Sequence, residues 1–355
     1  MRDAIVYSGW SWETFNVPER VALALAHLGS KVLYVENPSS RFRQKSTSEL
    51  RPVSDRIFAF RPVFLGHQLQ VLPLLPLVQA KIVASQILNN EHRLALRDAL
   101  FFYPWMGTLW CLPVQMKKKG HFLVRMLLDQ SELNKENRLA MADYTLLCPK
   151  CGLHHIQESF AGKACLIPQA VDLRVLEKTA ACPEPEVLAR VPRPRLCYLG
   201  AAVPDRLNLS VVRELLQKHP EWHFVSFGAS PLPDLSNAHG LPWTGYEKLP
   251  LYVRACEVGF MPYNCNERQL HANPLKLWEY FAVGKPVVAT PLIHLWEYED
   301  VIYRGHSAEQ LEEAILAALS EPADSPKRQR RMRIAREHSI EKLSTVLRQA
   351  LPLDG

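Results

Sequence analysis

Apolar and polar positions follow two recurrent spacings along this chain. Runs of about four apolar residues alternate with stretches whose apolar positions recur at three and four. Ala4-Ile5-Val6-Tyr7 predicts a strand. From about Pro18 to Leu28, Val21, Ala24, Leu25 and Leu28 fall on one helical face, which Gly29 ends. Val32-Leu33-Tyr34-Val35 completes a βαβ unit. Residues 41–62 read as basic and irregular, and 63–78 as apolar but broken by Pro73 and Pro76. Leu100-Phe101-Phe102-Tyr103 predicts a further strand, and Phe122-Leu123-Val124 with Leu127-Leu128 another. Pro183, Pro185, Pro192 and Pro194 then crowd together, as suits an interdomain linker. After them the alternation restarts: a strand at Leu196–Leu199 ending at Gly200, a helix over Leu209–Lys218, and a strand at His223–Phe227 ending at Gly228. Another strand follows at Glu257–Met261, then a helix over 274–283, a strand at Pro286–Ala289, and helices over 307–319 and 327–350. Alternating strands and helices predict parallel α/β sheets, here in two domains: 1–178, then a Pro-rich linker at 179–195, then a second domain from 196.

Composition agrees with two cored domains. The 355 residues are 48% hydrophobic and 22% charged, which excludes intrinsic disorder. Eight Cys and 15 Gly exclude a disulfide mini-protein and a collagen-like chain. No run of about 18 apolar residues predicts a transmembrane helix, and the N-terminus enters a strand with no signal-peptide pattern, so a cytoplasmic protein with reduced thiols is expected. The net charge of +6 is uneven. Residues 1–175 hold 21 Lys+Arg against 14 Asp+Glu, and residues 176–355 hold 21 against 22. Six basic residues and no acidic ones stand in 327–336. Such charge suits a solvated face, nucleic acid, anionic lipid or a phosphorylated substrate.

The most informative segment runs from Asn273 to Thr290. Asn273 is a favoured cap and Pro274 a favoured first helical residue, with Gly284 at the end, so a ten-residue helix of about 15 Å is expected. Leu275, Trp278 and Ala282 share an inward face, while Lys276 and Glu279 share another. A cation in the first turn opposes the helix dipole. It makes sense beside a bound anion that the helix N-terminus also faces, with Glu279 free to accept sugar hydroxyls; an ordinary exposed Lys–Glu pair is the plain alternative.

This segment resembles the donor-binding motif of retaining GT-B glycosyltransferases, especially bacterial polysaccharide-building enzymes of the sucrose-synthase-like group (glycosyltransferase family 4, group 1). Tyr198-Leu199-Gly200 with Arg206 six residues beyond the glycine resembles the family's strand, glycine loop and phosphate-binding cation. Phe227-Gly228, Trp243-Thr244-Gly245-Tyr246 and Leu249-Pro250-Leu251-Tyr252 resemble the stretch framing the nucleotide base. Val258–Tyr263 resembles the strand before the donor motif, Ile167–Asp172 with Ala142-Asp143 the end of the acceptor domain, and 327–355 the C-terminal helix returning to the first domain. The likeness covers about 196–350 well and 1–175 weakly. The fold it implies is α/β, GT-B, with two Rossmann-like parallel-sheet domains facing a central cleft, the nucleotide-sugar domain spanning 196–326.

The resemblance further implies that Arg206 and Lys276 bind the donor diphosphate and Glu279 the ribose, with Gly200, Gly228, Asn273, Pro274, Leu275 and Tyr246 around the nucleotide. His271 stands where the family has a sugar-contacting Glu, and Ala201 where an Arg often follows the glycine. Arg206, Lys276 and His271 are thus the catalytic candidates. Two fixed cations can stabilise the leaving diphosphate without a metal, and no Asp-x-Asp occurs, so no metal or other cofactor is expected. The implied partners are a nucleoside-diphosphate sugar and a glycan or lipid-linked, anionic acceptor on the basic first domain. Apolar 63–78 beside basic 41–61 is a candidate for peripheral contact with the inner face of the membrane. A non-catalytic sugar-nucleotide-binding subunit, or an epimerase on the same fold, is the alternative. Nucleic acid is not expected.

Three other signals stand apart. Cys148-Pro149-Lys150-Cys151 with His154, His155 and Cys165 offers zinc-ligand types but a single knuckle, so free thiols are expected. Trp10-Ser11-Trp12-Glu13 is read as a loop bordering the cleft or a Trp-rich cap. Lys117-Lys118-Lys119 is read as a solvated turn.

Overall fold

Runs of Val, Leu, Phe and Tyr buried on both faces make strands that only a helix-covered parallel sheet can hold, and the chain builds two of them. The computed structural model describes residues 1–40, 49–64, 75–104, 106, 109–128, 141–148, 163–228, 230–270 and 273–354. One unit comprises 1–169 and 340–355, the other 170–339.

The first unit carries β1 (Ala4–Tyr7), β2 (Val32–Val35), β3 (Ser39–Ser40), β4 (Arg51–Ser54), β5 (Ile57–Phe60), β6 (Val63–Phe64), β7 (Leu100–Tyr103), β8 (Leu123–Leu127), β9 (Tyr144–Leu147) and β10 (Ala164–Leu166). Eight of these form one sheet in the order β10-β9-β8-β7-β1-β2-β5-β4, while β3 and β6 pair separately. All neighbours in the large sheet are parallel except β4 on β5. The β4–β5 hairpin is a correction to the irregular segment expected over 41–62, of which 41–48 lie outside the described residues. Ile57, Phe58 and Ala59 make the pairing with β4, Ile57 and Ala59 being fully buried, with Arg56 turning the chain at φ 59°. Of the apolar stretch 63–78, residues 65–74 are also outside the described residues. Its end opens the Leu75–Arg93 helix, which buries Ala80, Val83 and Ile87 in the core formed with Phe101 and Leu123.

The second unit carries β11 (Arg195–Tyr198), β12 (His223–Phe227), β13 (Ala238–Leu241), β14 (Val258–Met261), β15 (Val287–Ala289) and β16 (Tyr303–Arg304), all parallel, in the order β13-β12-β11-β14-β15-β16. The chain steps outward from β11 to β13, then resumes on the other side at β14. The strand order therefore reverses between β11 and β14, and doubly wound sheets receive ligands beyond the carboxyl ends of strands at such a reversal.

Two expected boundaries fall elsewhere. The Pro-rich stretch 179–195 lies inside the second unit, where the buried Arg195 guanidinium fastens it by donating to Val191 O at 2.8 and 2.6 Å and to Ala255 O at 2.8 Å. The expected returning piece 327–355 divides at Ser339. The basic helix Pro326–Glu337 stays with the second unit because fully buried Arg331 donates to Val301 O (2.9 Å), Gly284 O (3.1 Å) and Glu321. Only the next helix, Ile340–Ala350, joins the first unit. There its apolar stripe (Ile340, Leu343, Leu347) is buried and Ser344 Oγ donates to Ala24 O at 3.0 Å.

Candidate active site

At the reversal point, two glycines end neighbouring strands. Gly200 follows β11 at φ +133° and Gly228 follows β12 at φ +99°, conformations that side chains with a Cβ rarely adopt. The Phe227 N–H donates to Gly200 O at 3.1 Å, and the Gly228 N–H to Leu241 O at 2.7 Å, so both turns are fixed to the sheet.

Beyond Gly200 the chain makes a tight turn stitched to the segment leaving β14. The Arg206 N–H donates to Val203 O at 3.0 Å, and the Asn264 N–H donates to Arg206 O at 2.8 Å. Leu207 forms an antiparallel bridge with Tyr263, and the Asn208 N–H donates to Pro262 O at 2.8 Å. The Arg206 side chain is left exposed. Lys276 arrives at the same place from its helix. Its Nζ donates to the Tyr263 hydroxyl at 3.0 Å and lies 4.1 Å from the centre of the Tyr198 ring and 5.4 Å from that of Tyr263. The backbone of the Arg206 turn and the Lys276 side chain are therefore linked through one residue: Tyr263 bridges to Leu207 through its backbone and meets the lysine through its hydroxyl. Burial works against the charge on Lys276, but Tyr263 and Tyr198 outweigh it and hold its pKa above the ordinary lysine value. Burial pushes the Tyr263 phenol up to about 12.

Tyr280 sets the height of this helix. Its hydroxyl accepts from the Leu199 N–H at 2.9 Å and donates to Cys197 O at 2.8 Å, holding the strand end just before Gly200. The helix itself corrects the expected start and length. It spans Lys276–Ala282, seven residues rather than ten, because Leu277 N–H and Trp278 N–H close tight turns onto Pro274 O (3.1 Å) and Leu275 O (3.2 Å). Asn273 and Pro274 are thus the approach to the helix, not its cap and first residue, and Leu275 is the cap. Of the expected inward face, Trp278 and Ala282 are buried and Leu275 is half-buried. Trp278 stacks on His338 at 3.7 Å between ring centres.

Lys276 and Glu279 diverge instead of forming a pair. Glu279 is 4% exposed and accepts from the Tyr246 hydroxyl at 3.3 Å, which itself accepts from the Asp172 N–H at 3.1 Å. Tyr246 is buried too and supports Glu279 from beneath. His271 lies outside the described residues, as do Cys151, His154 and His155 of the thiol motif. Tyr198, Tyr263 and Tyr280 were not picked out by sequence reasoning as functional. The available signal was their place: Tyr198 ends one strand and Tyr263 follows another at the two strands flanking the reversal.

In the first unit, the Trp10–Glu13 loop leaves Trp10 40% exposed beside β1, while the Trp12 N–H donates to Glu36 Oε1 at 3.0 Å. Arg51 and Arg61 both reach the same carboxylate, at 2.6 and 3.5 Å. Lys117, expected in a solvated turn, instead lies in the last turn of the Leu112–Lys118 helix and pairs with Asp143.

Residues 193–321 match the family model described as group 1 glycosyl transferases. This part of the chain, about a third of it, is similar to group 1 glycosyltransferases. The matched segment contains Gly200, Arg206, Lys276 and Glu279, on a GT-B scaffold of two parallel-dominated sheets. Over 110 residues the chain is 33% identical to TuaH of Bacillus subtilis, which is named for a glycosyltransferase of teichuronic acid biosynthesis. That match spans 27% of this chain and 26% of the relative, so about a quarter of each. Among solved structures, sucrose-phosphate synthase of Thermosynechococcus elongatus matches with a TM-score of 0.66 at 14% identity over 98% of both chains. A UDP-forming trehalose-phosphate synthase of Burkholderia xenovorans matches at 0.66 and 13% over 100% of both. The corresponding Escherichia coli structure bound with UDP-2-fluoro glucose matches at 0.67 and 11% over 98% of both. At these identities the solved structures show the fold, and the likeness to group 1 glycosyltransferases rests on residues 193–321.

Proposed function

We propose that this chain transfers a glycosyl group from a nucleoside-diphosphate sugar to a glycan or lipid-linked acceptor in polysaccharide synthesis. The observation that carries this is the convergence of the Arg206 turn and the Lys276 ammonium on Tyr263, where the strand order of the glycosyltransferase domain reverses. In the transfer, the bond from the anomeric carbon to the diphosphate oxygen breaks, and its electron pair leaves with the nucleoside diphosphate. A bond to the acceptor oxygen forms as that hydroxyl passes its proton to the departing diphosphate oxygen. Negative charge grows on the diphosphate, and cations already in position stabilise it without reorganising. Arg206 and Lys276 take that role in place of a metal, Gly200 and Gly228 let the backbone approach the nucleotide, and Glu279 accepts the ribose hydroxyls. Asn273, Pro274 and Leu275 shape the donor side, and His271 is assigned to the donor sugar.

Support comes from the name of TuaH, from the UDP-sugar analogue in the Escherichia coli structure, and from retention in the resembled family. An anionic acceptor on the first unit fits the basic surplus of residues 1–175. Among the described residues no helix is long and apolar enough to cross a membrane, so contact with an anionic, lipid-linked acceptor at the inner membrane face would be peripheral. The test is release and transfer of sugar across a panel of nucleotide sugars, with and without chelator. The expected result is turnover of one donor that survives chelation and keeps the anomeric configuration. Donor binding with neither hydrolysis nor transfer would favour the non-catalytic subunit.

A further inference from the structure

A lysine that serves an anion must stay charged, stay in place and stay uncommitted to a carboxylate. Lys276 meets all three conditions through aromatic groups. Among the described residues its hydrogen-bond partner is the Tyr263 hydroxyl, and its ammonium lies over the Tyr198 face at 4.1 Å with the Tyr263 ring at 5.4 Å. The two rings meet edge to face, 6.1 Å apart at 73°, and are 1% and 4% exposed. A carboxylate in the same place would cancel the charge that the ligand needs. A ring face attracts the cation through its quadrupole and leaves the full positive charge for an incoming anion.

We propose that Tyr198 and Tyr263 are positioning residues that aim the Lys276 ammonium at the diphosphate of the donor while leaving its charge uncompensated. This rests on the diphosphate role proposed for Lys276. Both tyrosines stand on rigid supports. Tyr198 is the last residue of β11, immediately before Leu199 and Gly200. Tyr263 follows β14, where its carbonyl accepts from Thr290 Oγ1 at 3.0 Å and its backbone bridges to Leu207. The same two residues thereby fix the ammonium relative to both the glycine turn and the Arg206 turn.

The test uses the full chain, with inorganic pyrophosphate and the nucleoside diphosphates as probes. Tyr198→Leu is expected to weaken binding of the best probe about 5- to 30-fold, whereas Tyr198→Phe, which keeps the ring, stays within about twofold. Tyr263→Phe loses the bond to the ammonium and is expected to cost about tenfold. In a Lys276→Met background, Tyr198→Leu is expected to add no further loss. Equal losses for Tyr198→Phe and Tyr198→Leu, or an undiminished loss without the lysine, would overturn the proposal by giving the tyrosines a purely structural role. A second readout needs no ligand: the rate of Lys276 acylation at pH 9, followed by mass spectrometry. It is expected to rise severalfold in Tyr198→Leu and Tyr263→Phe but not in Tyr198→Phe. If the wild type binds neither pyrophosphate nor any nucleoside diphosphate, the diphosphate role fails. The acylation rates then decide the aromatic holder separately, and unchanged rates would overturn it.

Discussion

Gly259 and Tyr280 occupy space that only a glycine can share with that ring. A Cβ on Gly259 in β14 would lie 2.7 Å from the Tyr280 ring, which is fully buried over the strand. That fit lets the Tyr280 hydroxyl bridge Leu199 N–H and Cys197 O beneath the Gly200 turn. Gly259→Ala forces the ring outward and is expected to cost about 1–3 kcal/mol by overpacking. Tyr280→Phe leaves the buried Leu199 N–H without its partner and is expected to cost about 1–3 kcal/mol. Urea midpoints at constant slope check both values, and a wild-type midpoint for Gly259→Ala would contradict the close fit.

On the proposed function, loss of either cation at the reversal point is expected to strike the leaving-group charge rather than the fold. Arg206→Met and Lys276→Met are each expected to lower kcat about 10²- to 10³-fold on the donor that the wild type turns over. Arg206 is exposed, so its variant is expected to keep the wild-type melting temperature. Steady-state kinetics on the purified variants check this. A change confined to KM would assign the residue to ground-state binding alone.

The alternation of strands was legible because both sheets are buried on both faces, so their strands read as unbroken apolar runs. The glycine turns were legible as ends of apolar runs, and Lys276 because a cation in a first helical turn opposes the dipole, whereas Arg206 was legible only through the family resemblance. The helix start was misplaced because Asn273-Pro274 carries a capping signature. The choice between a cap and a tight turn leading to Leu275 depends on how Pro274 and Leu275 are used by Leu277 and Trp278. The destination of the basic run was hidden for a different reason. The pattern shows six cations, but not that Arg331 alone turns inward to three acceptors while Arg330 meets Asp300 on the surface. The holding tyrosines were invisible because their contacts join residues 65 and 78 positions apart in the chain.

Arg331 makes that distinction measurable. It is fully buried with its partner Glu321, so Arg331→Met strands a carboxylate and is expected to destabilise by about 3–5 kcal/mol. Arg333→Ala, on the exposed face of the same helix, is expected to stay within about 0.5 kcal/mol. Denaturant unfolding of the two variants checks the contrast, and equal small effects would place Arg331 in solvent.

Glu19 gives the first unit a pH dependence of defined sign. It is buried in the first turn of the Val17–His27 helix, where it accepts from the Asn16 N–H and Thr14 Oγ1, both at 3.0 Å. Burial holds its pKa up to about 7, against 4.5 for an ordinary carboxyl. The protonated form is thus favoured by folding. Its contribution is fully present below about pH 4.5 and is lost as pH rises through about 7. Glu19→Gln removes this loss and is expected to gain about 2–3 kcal/mol on the wild type between pH 4.5 and pH 8. Urea titrations at the two pH values check it; parallel behaviour of both proteins would mean that the carboxyl is hydrated.

Calorimetric titration of nucleoside diphosphates, and of the parent nucleosides, into the wild type, Arg206→Met and Lys276→Met addresses the diphosphate grip itself. The predicted result is one diphosphate bound by the wild type, an affinity at least about tenfold lower in each variant, and unchanged affinity for the nucleoside. Diphosphate binding that is undiminished in both variants, or absent from the wild type for every base, would contradict it.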